Sequence, residues 1–293
     1  MKCKKRKIVY NNVMSLKDYI KERKKKKFKK KYKVGLCLSG GGARGFSFLG
    51  AFKAFEDAGI EFDAVAGTSA GSIFGAVYAS KLSYEEVYAK TSKVKTKDFR
   101  NAKLGFLPSN MDGLKQLIES TLPVKKVEEL SIPFYAVAVD LKTGDEIVFD
   151  KGTLSSIITG SCAIPGVYTP VKYKGMTLVD GGIRNNIPAD VLRARGCDFV
   201  VTIDCNCSRG GGTNSDKFIT QFTTSIGIMM VNNSRLGLEL SDIVICPDMR
   251  KFSSLKIVNK DEMIKEGYRA TMECISEIEK LFLGEYKKIS FKN

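Results

Sequence analysis

The sequence predicts an α/β protein built as a single three-layer α/β/α sandwich, and three observations predict it. Apolar strand-like runs alternate with helical stretches from about residue 34 to 285. Two glycine-rich turns, at 39–45 and 67–71, each join such a run to a helix. The 293 residues, 43% of them hydrophobic, are enough for one large core.

The elements follow in order. Lys33 to Leu38 predicts a buried strand, and Ser39-Gly40-Gly41-Gly42-Ala43-Arg44-Gly45 leads into a helix over Phe46–Ala58 that Gly59 ends. Ala64-Val65-Ala66 predicts a second strand running into Gly67-Thr68-Ser69-Ala70-Gly71 and a helix of small and apolar residues. Residues 83–130 read as helical and irregular, with Leu104-Gly105-Phe106-Leu107-Pro108 either a lid or a loop packed on the core. Phe134–Asp140 predicts a strong strand, Lys142–Asp145 a turn, and Glu146–Phe149 an antiparallel return. A short helix over 154–161 precedes Cys162-Ala163-Ile164-Pro165-Gly166. Met176–Val179 is a short strand ending in Asp180-Gly181-Gly182, and Pro188 suits a helix start. A strand at 198–204, a long helix over 216–240 with Met229-Met230 in the core, a strand at 242–246 and an amphipathic helix over 260–283 complete the pattern.

Charge divides the chain. Its net charge is +16, yet residues 1–33 hold 16 Lys/Arg against Asp18 and Glu22, so the rest is almost neutral. The expected organisation is a basic arm at 1–33, one domain at 34–285 and a tail at 286–293. Such an arm is either solvated or neutralised by an anionic partner. An anionic membrane surface is favoured over nucleic acid, each nearby Lys contributing up to about 1 kcal/mol. No apolar run reaches the length of a membrane span, and no secretory leader is visible, so a cytoplasmic protein, peripheral at the inner face of the membrane, is expected.

Histidine is absent from the sequence. That excludes a Ser-His-Asp triad and any histidine-ligated metal site. The eight cysteines are expected to be mostly buried small hydrophobes. Cys205-Asn206-Cys207 lacks the spacing and partners of a metal site, so no metal is expected.

The Gly-x-Ser-x-Gly turn makes Ser69 the candidate nucleophile, held up at a helix N-terminus by a strained backbone, with Gly67 and Gly71 leaving room. Gly40, Gly42 and Gly45 fit a dinucleotide fingerprint as well as a nest of N–H groups for an oxyanion. The nearby serine turn favours the oxyanion reading for Gly40, Gly41, Gly42, Ala43, Arg44 and Gly45, with Arg44 either a charge for the site or a brace. Asp180, at a strand end beside Gly181 and Gly182, is the candidate base. A free carboxylate is a feeble base for a hydroxyl, so burial must raise its pKa.

Together, Gly40-Gly41-Gly42-Ala43-Arg44-Gly45, Gly67-Thr68-Ser69-Ala70-Gly71 and Asp180-Gly181-Gly182 resemble, in order and spacing, the patatin-like phospholipases. Cys162 to Gly166 also looks like that family's segment before the aspartate, and the resemblance covers roughly residues 34–205. It implies the patatin/cytosolic phospholipase A catalytic fold and a Ser69–Asp180 dyad acting on a phospholipid or other acyl ester through an acyl-enzyme. It also implies an oxyanion hole around Gly41 and Gly42, and no cofactor. A soluble ester or thioester, a non-enzymatic basic-arm binding protein and, more distantly, a nicotinamide oxidoreductase stay open as alternatives.

Overall fold

The computed structural model describes residues 32–92, 94–95, 108–207, 216 and 218–286. Most of the basic arm, the apolar stretch 104–107, Cys3 and the tail from 287 onward lie outside the described residues.

One mixed sheet organises the molecule. Its strands are β1 (Val34–Leu38), β2 (Ala64–Thr68), β3 (Phe134–Asp140), β4 (Glu146–Phe149), β5 (Val171–Tyr173), β6 (Met176–Asp180), β7 (Phe199–Ile203) and β8 (Ile243–Ile245). They lie in the order β5-β6-β3-β2-β1-β7-β8, and β4 pairs with β3 off that path. The central strands β3, β2, β1, β7 and β8 run parallel, whereas β4 and β6 meet β3 antiparallel. β1, β2 and β3 are buried along their whole length. Their near-continuous apolar sequences are what a sheet covered on both faces requires.

Strand alternation sends side chains to two cores. Leu36, Leu38, Val65 and Ala136 point into the larger one, with Phe48 and Phe55 of helix α1 (Phe46–Ala58), Phe74 of α2 (Ala70–Ala79) and Ile278 of α9 (Lys260–Leu283). This core also takes up α3 (Tyr84–Thr91), α4 (Asp112–Thr121) and α5 (Leu154–Ser161) through Val87, Leu114 and Ile157. Cys37, Ala66 and Val137 point the other way, against Leu192 of α6 (Ala189–Ala194). Helices therefore cover both faces, the expected three layers.

α1 spans its expected residues and ends at Gly59 in the left-handed region, φ 67°. The 216–240 segment departs from expectation in two ways. It breaks into α7 (Phe218–Asn232) and α8 (Arg235–Glu239), and Met229 is 57% exposed instead of lying in the core. Ile228, Leu236 and Leu238 are exposed as well.

The cysteines also hold a surprise. Cys37, Cys162, Cys197 and Cys205 are buried as expected, but Cys207 and Cys246 form a disulfide that ties the end of β7 to the end of β8. Cys207 is thereby removed from any shared metal site with Cys205. The bridge closes a loop of 39 residues, which loop-closure entropy values at roughly 4 kcal/mol before strain is counted. Cys246→Ser, or reduction of the parent protein, is expected to lower the unfolding free energy by about 2–4 kcal/mol. Urea melts under oxidising and reducing conditions check this, and an unchanged midpoint would contradict it.

Candidate active site

Four chain segments meet where the parallel strands end. β1 runs into Ser39–Gly42, β2 into Ser69, and β7 into Asp204-Cys205-Asn206. β6 brings Asp180 from the far side of β3. In register, Thr68 of β2 faces Val137, and the next residue of β3, Ala138, faces Asp180. Ser69 and Asp180 thus come to one level of the sheet on opposite sides of β3. The acid turn then crosses over the end of β3 to Thr68. A Cβ on Gly181 would stand 2.3 Å from the Val137 carbonyl oxygen and 3.1 Å from Thr68 Cγ2, so the crossing requires glycine.

Ser69 sits between β2 and α2 at φ 53°, ψ −122°, a conformation that costs a non-glycine residue on the order of 1–3 kcal/mol. Its neighbours leave no alternative. A Cβ on Gly67 would stand 2.1 Å from the Gly71 oxygen, and one on Gly71 would stand 2.2 Å from the Leu38 oxygen. The Ser69 N–H donates to Ser161 Oγ at 2.9 Å, and Ser161 Oγ donates to the Val137 oxygen at 2.6 Å. Ser72 donates its N–H and its hydroxyl to the Ser69 oxygen. No side chain caps α2, and the positive end of its dipole lies at Ser69, its N-cap residue.

Asp180 is fully buried. Its Oδ1 accepts the Gly182 N–H at 2.9 Å, while Oδ2 has no hydrogen-bond partner among the described residues. Burial pushes this carboxyl up to about 6, although the Ser69 hydroxyl and the Gly182 N–H pull in the other direction. The adjacent Cys162 thiol is held well above its ordinary pKa, first by burial and then by the Asp180 charge. It stays a thiol and does not compete as a nucleophile.

The six residues of the glycine-rich loop divide into distinct tasks. The Gly40 N–H is already donated to the Asn186 oxygen and the Ala43 N–H to the Ser254 oxygen. Arg44 is a brace: it is buried, and its guanidinium donates to the Phe252 oxygen at 2.9 Å and reaches Asn206 Oδ1 at 3.5 Å. Gly45 makes room for Ala70 and Phe74. Gly41 and Gly42 are left without a backbone acceptor among the described residues. A Cβ on Gly41 would stand 2.1 Å from Cys205 Sγ. Gly42 has φ +58°, and a Cβ there would stand 2.2 Å from the Ser254 oxygen. Because the added Cβ would displace the loop, Gly42→Ala is expected to cut ester turnover by roughly 100-fold or more, an effect of the size that follows when an oxyanion donor is moved away. Steady-state kinetics beside a thermal melt check this; an active Gly42→Ala enzyme would remove the loop from the chemistry.

Several residues position the site that the sequence did not mark for that role; Cys205 and Asn206 figure there only in the weighing of a metal site. Asn206 donates from Nδ2 to the Gly40 oxygen at 2.5 Å, and Cys205 donates its backbone N–H to Ser39 Oγ. Burial and the neighbouring Asp204 hold the Cys205 thiol up at about 12, so it is neutral packing. Ser161 and Asn186 belong to the same group. Only their nearness to the family's motifs could have drawn attention to them.

A cavity of about 150 Å³ opens from Ser69. It runs along α2 past Ala70, Ile73, Phe74 and Val77, a span of roughly 10 Å at 1.5 Å per residue. Leu114 and Ile118 of α4 and the Leu255–Ile257 segment close its other side. The lining is almost wholly apolar. The arrangement places a hydroxyl, a buried carboxyl and free N–H groups at the end of an apolar slot.

Comparisons with known proteins bear on the family and the fold. The family model for patatin-like phospholipase matches residues 36–193, from β1 into α6. Patatin-like phospholipase domain-containing protein 6 of Mus musculus is 28% identical over 279 residues, covering 87% of this chain and 20% of its own length. An uncharacterized NTE family protein of Mycobacterium tuberculosis is 32% identical over 186 residues, covering 61% of this chain and 51% of its own. This chain thus spans from a fifth to half the length of these relatives. The crystal structure of VipD from Legionella pneumophila aligns with a TM-score of 0.56 at 14% identity, over 84% of this chain and 67% of that one, which is a likeness of fold. With the match covering more than half of its length, and the three motifs meeting at one site, the chain belongs to the patatin-like phospholipase family.

Proposed function

We propose that the protein is a serine acyl hydrolase, a phospholipase A or lipid esterase, that works through a Ser69–Asp180 dyad. The observation that carries this reading is the buried, half-unpartnered Asp180 carboxyl facing a strained Ser69 at the end of an apolar slot. Asp180 takes the proton of Ser69 Oγ as the oxygen attacks the ester carbonyl. The carbonyl oxygen becomes negative against the Gly41 and Gly42 N–H groups and the N-terminus of α2. The C–O bond to the alcohol breaks, and Asp180 returns the proton to the departing alkoxide. Asp180 then takes a proton from the water that attacks the acyl-enzyme, and passes that second proton to Ser69 Oγ as the acid leaves.

The surface favours aggregated lipid over a soluble ester or thioester. Residues 218–234 carry no charge, yet Ile228 and Met229 are about half exposed. An uncharged helix that faces water is normally covered by something apolar. α7 also lies beside the site, since a Cβ on Gly182 would stand 2.1 Å from Met230 Cε. The basic arm would add attraction to an anionic surface, which would make the enzyme peripheral at the inner face of the membrane.

The test is fatty-acid release from anionic vesicles, compared with a short soluble ester. Intact protein, Ser69→Ala, and a form starting at Lys33 are measured at low and high salt. Serine-dependent release from vesicles that falls when the arm is removed at low salt supports the full reading. Serine-dependent cleavage of the soluble ester alone would move the substrate to soluble esters.

A further inference from the structure

We propose that the side-chain oxygen of Asn186 holds the water that hydrolyses the acyl-enzyme, giving the site a third catalytic side chain. This rests on the acyl-hydrolase reading and assigns a role that reading leaves open. Asn186 is 1% exposed. It lies just after the acid turn, and its backbone oxygen accepts the Gly40 N–H at 3.0 Å, which anchors it to the glycine-rich loop. Its side-chain Nδ2 donates to Ser234 Oγ at 3.1 Å, and Ser234 Oγ in turn donates to the Met230 oxygen at 3.2 Å. That chain fixes which end of the amide faces the site. The end that does so, Oδ1, has no hydrogen-bond partner among the described residues.

Two buried side-chain atoms of this site, Asp180 Oδ2 and Asn186 Oδ1, have no hydrogen-bond partner among the described residues. A buried acceptor left unsatisfied costs about 1–3 kcal/mol, so two in one place point to a shared donor. Their positions agree. A Cβ on Gly182 would lie 3.0 Å from Asn186 Oδ1 and 3.2 Å from Asp180 Oδ1. A Cβ on Gly40 would lie 2.3 Å from Asn186 Oδ1 and 3.4 Å from Ser69 Cβ. Glycine at both places lets the amide oxygen lie close to the acid turn on one side and to the serine on the other. Water is the donor whose two O–H groups match two acceptors.

The step balances without any further reactant. One O–H of the water donates to Asn186 Oδ1, and the other proton passes to Asp180 Oδ2 as the water oxygen attacks the acyl carbon. The tetrahedral oxyanion forms, the bond from carbon to Ser69 Oγ breaks, and Asp180 returns the proton to Ser69 Oγ. The carboxylic acid leaves. During acylation the alcohol oxygen of the ester departs in the same space, so Asn186 serves the second half-reaction more than the first.

Burst kinetics on an activated ester, combined with intact mass, test the proposal. In Asn186→Ala, steady-state turnover is expected to fall roughly 10- to 100-fold, about the cost of a misplaced reacting group. The acyl-enzyme should accumulate as the dominant species, while the rate of labelling by an alkyl fluorophosphonate stays within about threefold of the parent. Asn186→Asp keeps an acceptor and adds a negative charge beside Asp180. It should retain more turnover than Asn186→Ala, with the acid limb of its pH profile moved upward. Ser234→Ala, which only frees the amide to rotate, should show a smaller build-up of acyl-enzyme. Thermal melts establish that each variant is folded. Equal slowing of labelling and turnover, with no acyl-enzyme accumulating in Asn186→Ala or Ser234→Ala, would overturn the proposal and leave Asn186 a packing residue. Absence of any adduct in the parent would instead tell against the dyad itself.

Discussion

Ser69→Ala is expected to lower ester hydrolysis by about four orders of magnitude or more while leaving the fold intact. The size follows from the mechanism, because removal of the nucleophile leaves only binding and the oxyanion donors. The fold should survive because the serine hydroxyl supports nothing else. Its backbone N–H, held by Ser161, and its backbone oxygen, which accepts from Ser72, do the structural work. The left-handed φ of 53° is strained for alanine as well as for serine, so that strain persists and little stability should be gained. Single-turnover and steady-state assays beside a thermal melt measure both halves. Activity within tenfold of the parent would place the nucleophile elsewhere.

Asp180→Asn should show a similar loss of turnover, roughly a thousandfold or more, and a gain in stability. The folded carboxyl titrates near 6 because burial raises it from an ordinary value of 3.8. Below about pH 4 it is protonated in both the folded and the unfolded chain. Between about 4 and 6 the unfolded carboxyl gives up its proton while the folded one keeps it. Stability therefore falls as pH rises through that window and is lower by about 3 kcal/mol above it. Asparagine keeps an acceptor for the Gly182 N–H and carries no charge, so at pH 7–8 the variant should be about 1–3 kcal/mol more stable. Burial also raises the carboxyl of Asp204, which contributes its own slope. The difference between parent and variant across pH 4–7 isolates Asp180. The same value sets activity, since the base works ionised: kcat/KM should rise through about pH 6 and level off above it. An Asp180→Asn enzyme with near-normal turnover, or with no gain in stability at neutral pH, would contradict this account.

Much of the site was legible because its chemistry is local. Gly67, Ser69 and Gly71 lie within five residues, so the pattern reads directly from the chain, although the contact that forces glycine at 71 comes from Leu38 on the neighbouring strand. The strands and most helices were legible for a similar reason: a sheet buried on both faces writes itself as continuous apolar runs. What was hidden depends on distant register. Ser161 reaches Ser69 across 92 residues, and Asn206 reaches Gly40 across 166, through single polar side chains with no local pattern. From the residues alone the glycine-rich loop was one nest of donors, with Arg44 either a charge or a brace. Only the returning Asn186 and Ser254 carbonyls show which N–H groups are spent. The 216–240 segment misled because an apolar helix reads as core whether it faces protein or the surface. The Cys207–Cys246 bridge was hidden because Cys246 adjoins Cys207 only through the pairing of β7 with β8.

In the proposed mechanism Ser69 is a nucleophile whose proton is taken by Asp180. The most direct measurement is the site and pH dependence of covalent labelling by an alkyl fluorophosphonate, read by peptide mass spectrometry. The account predicts one adduct, on the peptide carrying Ser69, formed at a rate that rises through about pH 6 and drops sharply in Asp180→Asn. An adduct on another residue, or labelling of Ser69 that ignores both pH and Asp180, would contradict it.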